Sequence, residues 1–269
     1  MSLVSVILVT FERPARLWQA LESVGMQTYD QVEVVVINNG GTSVEALIDR
    51  YQQLFRRPIQ LITLRYPQRL PVARNVGIAS AQGEIIAFLD DDDRYRPGHL
   101  ERLHQALEQR PDAILVYDDT LILIEDTVGR DEKPHVIATC RLGLPYDQKR
   151  FEHDSYIPPS ALALRRKVLE DCGGFDRHLD HVEDWELLLR IRKYGAFLYV
   201  PGEIGIEYSL RLSGDNRGSS FDQSRLACLD VLTKRYNLSP LVPKTFYDVA
   251  RDLGCEVIPT EQEATIQRE

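Results

Sequence analysis

The chain lacks most of the signatures that assign a function quickly. Its four cysteines, Cys140, Cys172, Cys228 and Cys255, are scattered and form no CxxC pair. That pattern reads as reduced thiols of a cytoplasmic protein. There is no GxGxxG and no GxxxxGKS/T, so neither a dinucleotide fold nor a P-loop enzyme has its phosphate cradle. HExxH is absent, although His178 and His181 form an H-x-x-H pair. No apolar run has the length to span a bilayer. The opening MSLVSVILVTF has neither the basic start nor the small-residue cleavage site of a signal peptide, and reads as a first strand. These absences lead to the expectation of a cytoplasmic protein with no transmembrane segment, peripheral at the inner face of a membrane if its acceptor is lipid-linked. A net charge of −9 with no continuous basic stripe argues against nucleic acid as a partner. Neither an internal repeat nor a low-complexity segment occurs.

What is present is a clear alternation of strand and helix patterns. Val4 to Thr10 is a β-branched run, and Pro14 opens a helix with Leu17, Leu21 and Val24 on one face. Val32 to Ile37 is a second strand, ending in the turn signal Asn38-Asn39-Gly40-Gly41. Thr42 and Glu45 have capping-box spacing for a helix carrying Leu47, Ile48, Tyr51 and Leu54. Ile59 to Leu64 is a third strand, Pro71 to Ala81 a helix, Ile85 to Leu89 a fourth strand. A helix from Pro97 with Leu100, Leu103 and Leu107 inward leads to a fifth strand, Ala113 to Tyr117. The second half is less regular. It offers an apolar run at Leu121 to Ile124, a helix from Arg165 to Cys172, an amphipathic helix from Asp184 to Lys193, a strand from Ala196 to Val200, and helices over Phe221 to Tyr236 and Pro243 to Leu253. Strands alternating with helices imply an open, doubly wound α/β sheet whose ligand loops follow Val9, Ile37 and Leu89.

The fourth strand carries the strongest chemical signal. In GEIIAFLDDDDRYRPGHL, residues 83–100, a run buried on both faces ends in four aspartates, Asp90 to Asp93. At about 6 Å and an effective dielectric of about 20, each like-charged pair costs roughly 3 kcal/mol. A divalent cation removes that repulsion. Carboxylate oxygens suit Mg²⁺ or Mn²⁺, which complete their shell with water and phosphate oxygens. A solvated acidic loop, or a helix start capped by Asp93, is the plainer alternative. Arg65, Arg69 and Arg74 precede the loop and offer guanidinium groups suited to phosphate. Further on, HVEDWELLLRIRKYG places Glu183 and Asp184 at a helix start, where the dipole stabilises carboxylates whether or not they act in chemistry.

Taken together and in order, VSVILVTFERP, SVGMQTYDQVEVVVINNGG, LPVARNVGIASAQGEIIAFLDDDD and SALALRRKVLEDCGGFD with EDWELLLRIRKYG resemble the family 2 glycosyltransferases over about residues 3–200. The resemblance implies a GT-A fold: a Rossmann-like open mixed sheet, mostly parallel, flanked by helices. It implies a catalytic domain over 1–210, with a nucleotide-binding half to about 118 and an acceptor half over 119–210, then a C-terminal helical extension over 211–269. The implied activity is transfer of a sugar from a nucleotide-diphosphate donor, a UDP-sugar by expectation, to an acceptor hydroxyl with inversion. By this match Thr10, Glu12, Asn39, Arg74, Asp90 and Asp91 lie at the nucleotide. Asp90 and Asp92 form the metal-binding Asp-x-Asp pair for Mn²⁺ or Mg²⁺, with Asp92 the direct ligand. Asp184 is the general base beside Glu183, and Arg211 falls near the diphosphate, where many relatives carry a histidine. Asn38-Asn39 replaces a more usual acidic pair. The acceptor, whether carbohydrate, lipid-linked or protein, is not specified, and a homodimer through the C-terminal helices stays open. A phosphatase of haloacid dehalogenase type, a sugar nucleotidyltransferase and a non-catalytic nucleotide-sugar binding module are the rival readings. The first lacks its small residue after Asp-x-Asp, where Arg94 stands, and the second lacks its glycine-rich loop after the first strand.

Overall fold

A computed structural model of the chain describes residues 2–126, 135–211 and 223–260. The first part winds as expected: β1 (Val4–Thr10), α1 (Pro14–Gly25), β2 (Val32–Asn38), α2 (Glu45–Phe55), β3 (Ile59–Thr63), α3 (Leu70–Ser80) and β4 (Ile85–Asp90). A two-residue β5 (Arg94–Tyr95) and α4 (His99–Gln109) follow, then a long β6 (Ala113–Asp126), β7 (His135–Leu142), a one-turn α5 (Gln148–Phe151), β8 (Leu162–Arg165), α6 (Arg166–Cys172) and α7 (Glu183–Ile191). The chain continues through β9 (Ala196–Arg211), α8 (Gln223–Tyr236), α9 (Phe246–Asp252) and β10 (Val257–Pro259).

One mixed sheet runs in the order β10-β7-β6-β8-β4-β1-β2-β3, with β9 pairing both β6 and β5. β1, β2, β3 and β4 pair in parallel, as do β6 and β9. The remaining pairs are antiparallel. Register sets Thr10 opposite Asn38 and Val9 opposite Asp90, so the carboxyl ends of β1, β2 and β4 finish on one edge. That edge is where open α/β sheets bind ligands.

The core has two layers because strand side chains alternate. Val4, Val6, Leu8, Ile85, Ala87 and Leu89 pack with α1 and α4 through Leu17, Leu21, Leu100 and Leu103. Ile7, Val35, Ile86 and Phe88 face the other way, toward Trp185, Leu188 and the C-terminal Leu229, Leu232, Val249 and Ala250. Each fully buried valine, leucine, isoleucine or phenylalanine side chain contributes about 1.5–3 kcal/mol. α8 is also tied down electrostatically: Arg235 and Tyr236 donate to the buried Glu186 of α7, at 3.0 and 2.7 Å.

Several local expectations change. The capping box at Thr42 does not form. α2 starts after Val44, and the Thr42 hydroxyl donates to Glu12 instead, at 3.0 Å. Of the apolar residues that α2 carries, Leu54 is exposed. The strand expected to end at Tyr117 continues to Asp126, and the one expected to end at Val200 continues to Arg211. Polarity hid these extensions. Asp118 and Asp119 look like loop residues but are buried and paired, Asp118 with His99 and Arg102, Asp119 with Arg141 and Tyr199. Phe221, expected to face inward at the start of α8, lies outside the described residues, as does the polar tail after Thr260.

Candidate active site

The acidic run lies between β4 and β5. The Asp93 amide donates to the Asp90 carbonyl at 3.0 Å, closing a tight turn, and β5 then pairs antiparallel with β9. The turn is thus pinned at both ends and its four carboxylates are sorted. Asp93 is buried, accepting from the Ser160 hydroxyl at 2.6 Å and the Ser209 amide at 3.0 Å. Asp91 is buried too, accepting from the Thr10 hydroxyl at 2.8 Å and Arg13 at 3.2 Å. Asp90 and Asp92 keep more exposure, with side chains 31% and 17% accessible. Burial pushes the Asp91 carboxyl up to about 6, with the Asp92 charge adding to the rise and Arg13 and Thr10 opposing it. Burial, reinforced by Asp92 and Asp90, holds the Asp93 carboxyl well above the carboxylate range. The repulsion inferred from sequence is therefore relieved at Asp93 by a carboxyl held well above the carboxylate range, and at Asp91 by the hydrogen bond from Thr10 and the charge of Arg13.

Arg74, on α3, is almost fully buried, at 3% exposure, and joins the two halves of the site. It donates to Asp90 Oδ1 at 2.6 Å and to Glu183 Oε1 at 2.8 Å. Burial opposes its charge, but Asp90, Glu183 and Asp184 outweigh that and keep it protonated. Glu183 and Asp184 open α7 after Val182, which adopts a left-handed φ of 55°. Such a φ is costly for a β-branched residue and marks a chain held in place by its surroundings. Burial raises the Glu183 carboxyl to about 7, against the pull of Arg74 and with Asp184 adding to the rise. Asp184, half-buried on the cleft wall, is raised for the same first reason, the low-dielectric walls around it. Its Oδ1 accepts from the Trp185 amide at 2.8 Å.

Thr10, Glu12, Asn39, Arg74, Asp90, Asp91, Asp92, Glu183 and Asp184 all line one cleft of about 580 Å³. Arg211 reaches it through Asp92 Oδ2, at 2.9 Å. Glu12, at a left-handed φ of 55°, accepts from the Thr42 amide and hydroxyl and so braces the two loops after β1 and β2. The Asn39 amide is committed to the chain itself: it donates to the Gln68 carbonyl and accepts from the Gln68 amide, both at 2.9 Å.

Sequence reasoning missed Arg13, which bonds both Asp91 and Asp92. Its one available signal was a basic residue three positions after Thr10. It also missed the far wall, where Asp154, Arg225, Lys244 and Phe246 stand, Lys244 paired with Asp154 at 2.6 Å. Among the described residues no three His, Cys, Asp or Glu side chains converge as a ready metal cage. The donor set at Asp90 and Asp92 is nevertheless all carboxylate oxygen on the open side of the turn. That fits a hard ion taking few protein ligands and completing its shell with phosphate oxygens.

The family model for glycosyl transferase family 2 matches residues 5–173. The chain is 29% identical over 243 residues to YwdF of Bacillus subtilis (strain 168), an uncharacterized glycosyltransferase, covering 90% of this chain and 87% of that one. It is 25% identical over 199 residues to an uncharacterized glycosyltransferase of Haemophilus influenzae, 72% of this chain but only 64% of that relative. Among solved structures, S. aureus TarS 1–349 in complex with UDP-GlcNAc superposes with a TM-score of 0.63 at 17% identity, over 86% of this chain and 66% of that one. Mannosyltransferase PcManGT from Pyrobaculum calidifontis, in complex with GDP-Man and Mn²⁺, gives 0.59 at 16% identity, over 81% and 59%. The chain belongs to glycosyltransferase family 2 and has the GT-A type of α/β fold. No described helix is long and apolar enough to cross a membrane.

Proposed function

We propose that the chain transfers a sugar from a nucleotide-diphosphate donor, a UDP-sugar, to an acceptor hydroxyl in one inverting displacement, with Asp184 as general base. The observation that carries this reading is the Arg74 bridge. One buried guanidinium ties the carboxylate turn after β4 to the acidic start of α7 within a single cleft. Donor-binding and proton-accepting groups thus share one space. That TarS is crystallised with UDP-GlcNAc and PcManGT with GDP-Man and Mn²⁺ supports the donor class and a divalent ion.

Asp90 and Asp92 would hold Mn²⁺ or Mg²⁺, which when bound acts as a Lewis acid on the leaving diphosphate. Thr10, Glu12 and the loop braced by Asn39 form the nucleoside end. Arg211 offers a guanidinium to the diphosphate, where negative charge grows as the glycosidic bond breaks. Asp184 takes the proton of the attacking hydroxyl, and its raised carboxyl makes it a better base than an exposed aspartate. Glu183, held by Arg74, positions Asp184 at the helix start. The reading includes a cytoplasmic site of action, at the membrane surface where the acceptor is lipid-linked.

Asp184→Asn tests the assignment. UDP affinity in the presence of Mn²⁺ should stay within about twofold, while turnover of a panel of UDP- and GDP-sugars should fall by about 10²–10⁴, the usual scale of a lost general base. Turnover at the unmodified rate excludes Asp184 from that role.

A further inference from the structure

The surroundings of Asp92 carry a second idea, which rests on the donor reading above. Asp92 Oδ2 accepts from two guanidinium groups at once, Arg13 Nη1 at 3.1 Å and Arg211 Nη2 at 2.9 Å. They approach from different elements. Arg13 stands just before α1, in the loop after β1, and Arg211 ends β9. Two cations on one carboxylate oxygen is a poor use of guanidinium, whose fork of five donors is suited to bidentate pairing with carboxylate or phosphate. The surplus is visible. Arg211 Nε is buried with no hydrogen-bond partner among the described residues. The Arg13 side chain is 32% exposed and lines the cleft. Arg211 therefore has a donor in hand, and Arg13 presents an exposed side chain to the same cleft, beside the carboxylate that suits a divalent ion.

We propose that Arg13 and Arg211 form a paired latch on Asp92. Before a donor enters they neutralise this carboxylate. When a nucleoside diphosphate enters, both turn to its phosphate oxygens, which offer more acceptors than Asp92 does, and Asp92 is released to the divalent ion. Arg13 thereby becomes a donor-binding residue. The latch has a thermodynamic consequence. An ion arriving alone must displace two guanidinium groups from Asp92, whereas an ion arriving with the diphosphate finds them already drawn away. Metal and nucleotide then bind with positive coupling, and by reciprocity each raises the affinity of the other by the same factor. A purely structural brace predicts the opposite sign: removing either arginine would leave Asp92 less well held and a worse ligand in every condition.

The experiment measures Mn²⁺ binding by the electron paramagnetic resonance signal of the unbound ion, with and without saturating UDP, and UDP binding by calorimetry. It is run on the unmodified chain, Arg13→Gln and Arg211→Gln, with thermal unfolding as the check of the fold. Arg13→Gln serves as the second variant because its side chain is partly exposed and least able to affect folding. In the unmodified chain UDP should tighten Mn²⁺ by about tenfold or more, within the usual range of coupling between sites. Each variant should bind Mn²⁺ alone several-fold more tightly than the unmodified chain, bind UDP more weakly, and show a smaller coupling factor. If both folded variants bind Mn²⁺ alone no more tightly than the unmodified chain, the latch is overturned while the donor reading stands. If the unmodified chain binds UDP under neither condition, the donor reading fails and takes the latch with it.

Discussion

Replacing Arg74 by methionine probes both stability and the wiring of the site. The side chain is 3% exposed and bonded to Asp90 at 2.6 Å and Glu183 at 2.8 Å. Removing one partner of a buried ion pair costs about 3–5 kcal/mol, because the remaining charge is left without compensation. The lower end applies here, since Asp90 is 31% exposed and can be hydrated. Glu183 is the buried partner, and its behaviour makes the loss depend on pH. With Arg74 present its carboxyl sits at about 7. Without the arginine, burial and Asp184 are opposed only by the backbone hydrogen bond at Glu183, and the carboxyl rises further. Because the folded value lies above the unfolded one, the proton on Glu183 favours the folded state, and its stabilisation is lost as pH rises through the folded value. Below about 7 both proteins hold Glu183 neutral and differ least. Above it the unmodified protein ionises beside Arg74, while the variant must ionise without a partner or keep its proton. The gap then widens by up to about 1.4 kcal/mol per pH unit. Urea unfolding should show a destabilisation larger by about 2 kcal/mol at pH 8.5 than at pH 6, on the same relation. In a Glu183→Gln background that pH dependence should vanish. Equal destabilisation at both pH values would refute the reasoning.

Two further changes probe the nucleoside end. Asn39→Asp swaps the amide that donates to the Gln68 carbonyl for a carboxylate facing that carbonyl. Unfolding experiments should show a loss of about 1–3 kcal/mol, the usual penalty for an unpaired buried group, and greatest above pH 5 where the new carboxylate is charged. Gly41→Ala places a methyl against the Glu12 carboxylate at a residue with φ of +82°. It should lower stability by about 1–2 kcal/mol from the left-handed backbone alone, and weaken UDP in calorimetry by moving the Glu12 brace. Unchanged affinity would remove Glu12 from the nucleotide site.

The first half of the fold was readable because each element there is long and periodic. β1 and β2 are β-branched runs and β4 an apolar one, all buried on both faces, and α1 and α4 carry leucines at helical spacing. β7, β8 and β10 escaped notice for physical reasons. β8 has four residues, β10 has three and ends in proline, and β7 alternates only weakly between buried and exposed positions. All three exist because long-range pairing overrides weak local preference. The same division runs through the site. Asp90, Asp92, Arg74, Glu183 and Asp184 stand in recognisable local strings. The partners that make the acidic turn tolerable do not. Ser160 and Ser209 lie 67 and 116 positions from Asp93. Arg13 is 79 positions from Asp92. A serine or arginine at such a distance carries no local mark of its role, which only the folded sheet edge supplies.

The central claim is that the turn after β4 holds a divalent ion for a nucleotide-diphosphate donor through Asp92. Diffraction data collected at the manganese absorption edge, from crystals grown with Mn²⁺ and UDP, test it most directly. The account predicts an anomalous peak in contact with the Asp92 carboxylate and with the diphosphate oxygens. A peak placed away from Asp92, with Arg13 and Arg211 still seated on its carboxylate, would contradict it.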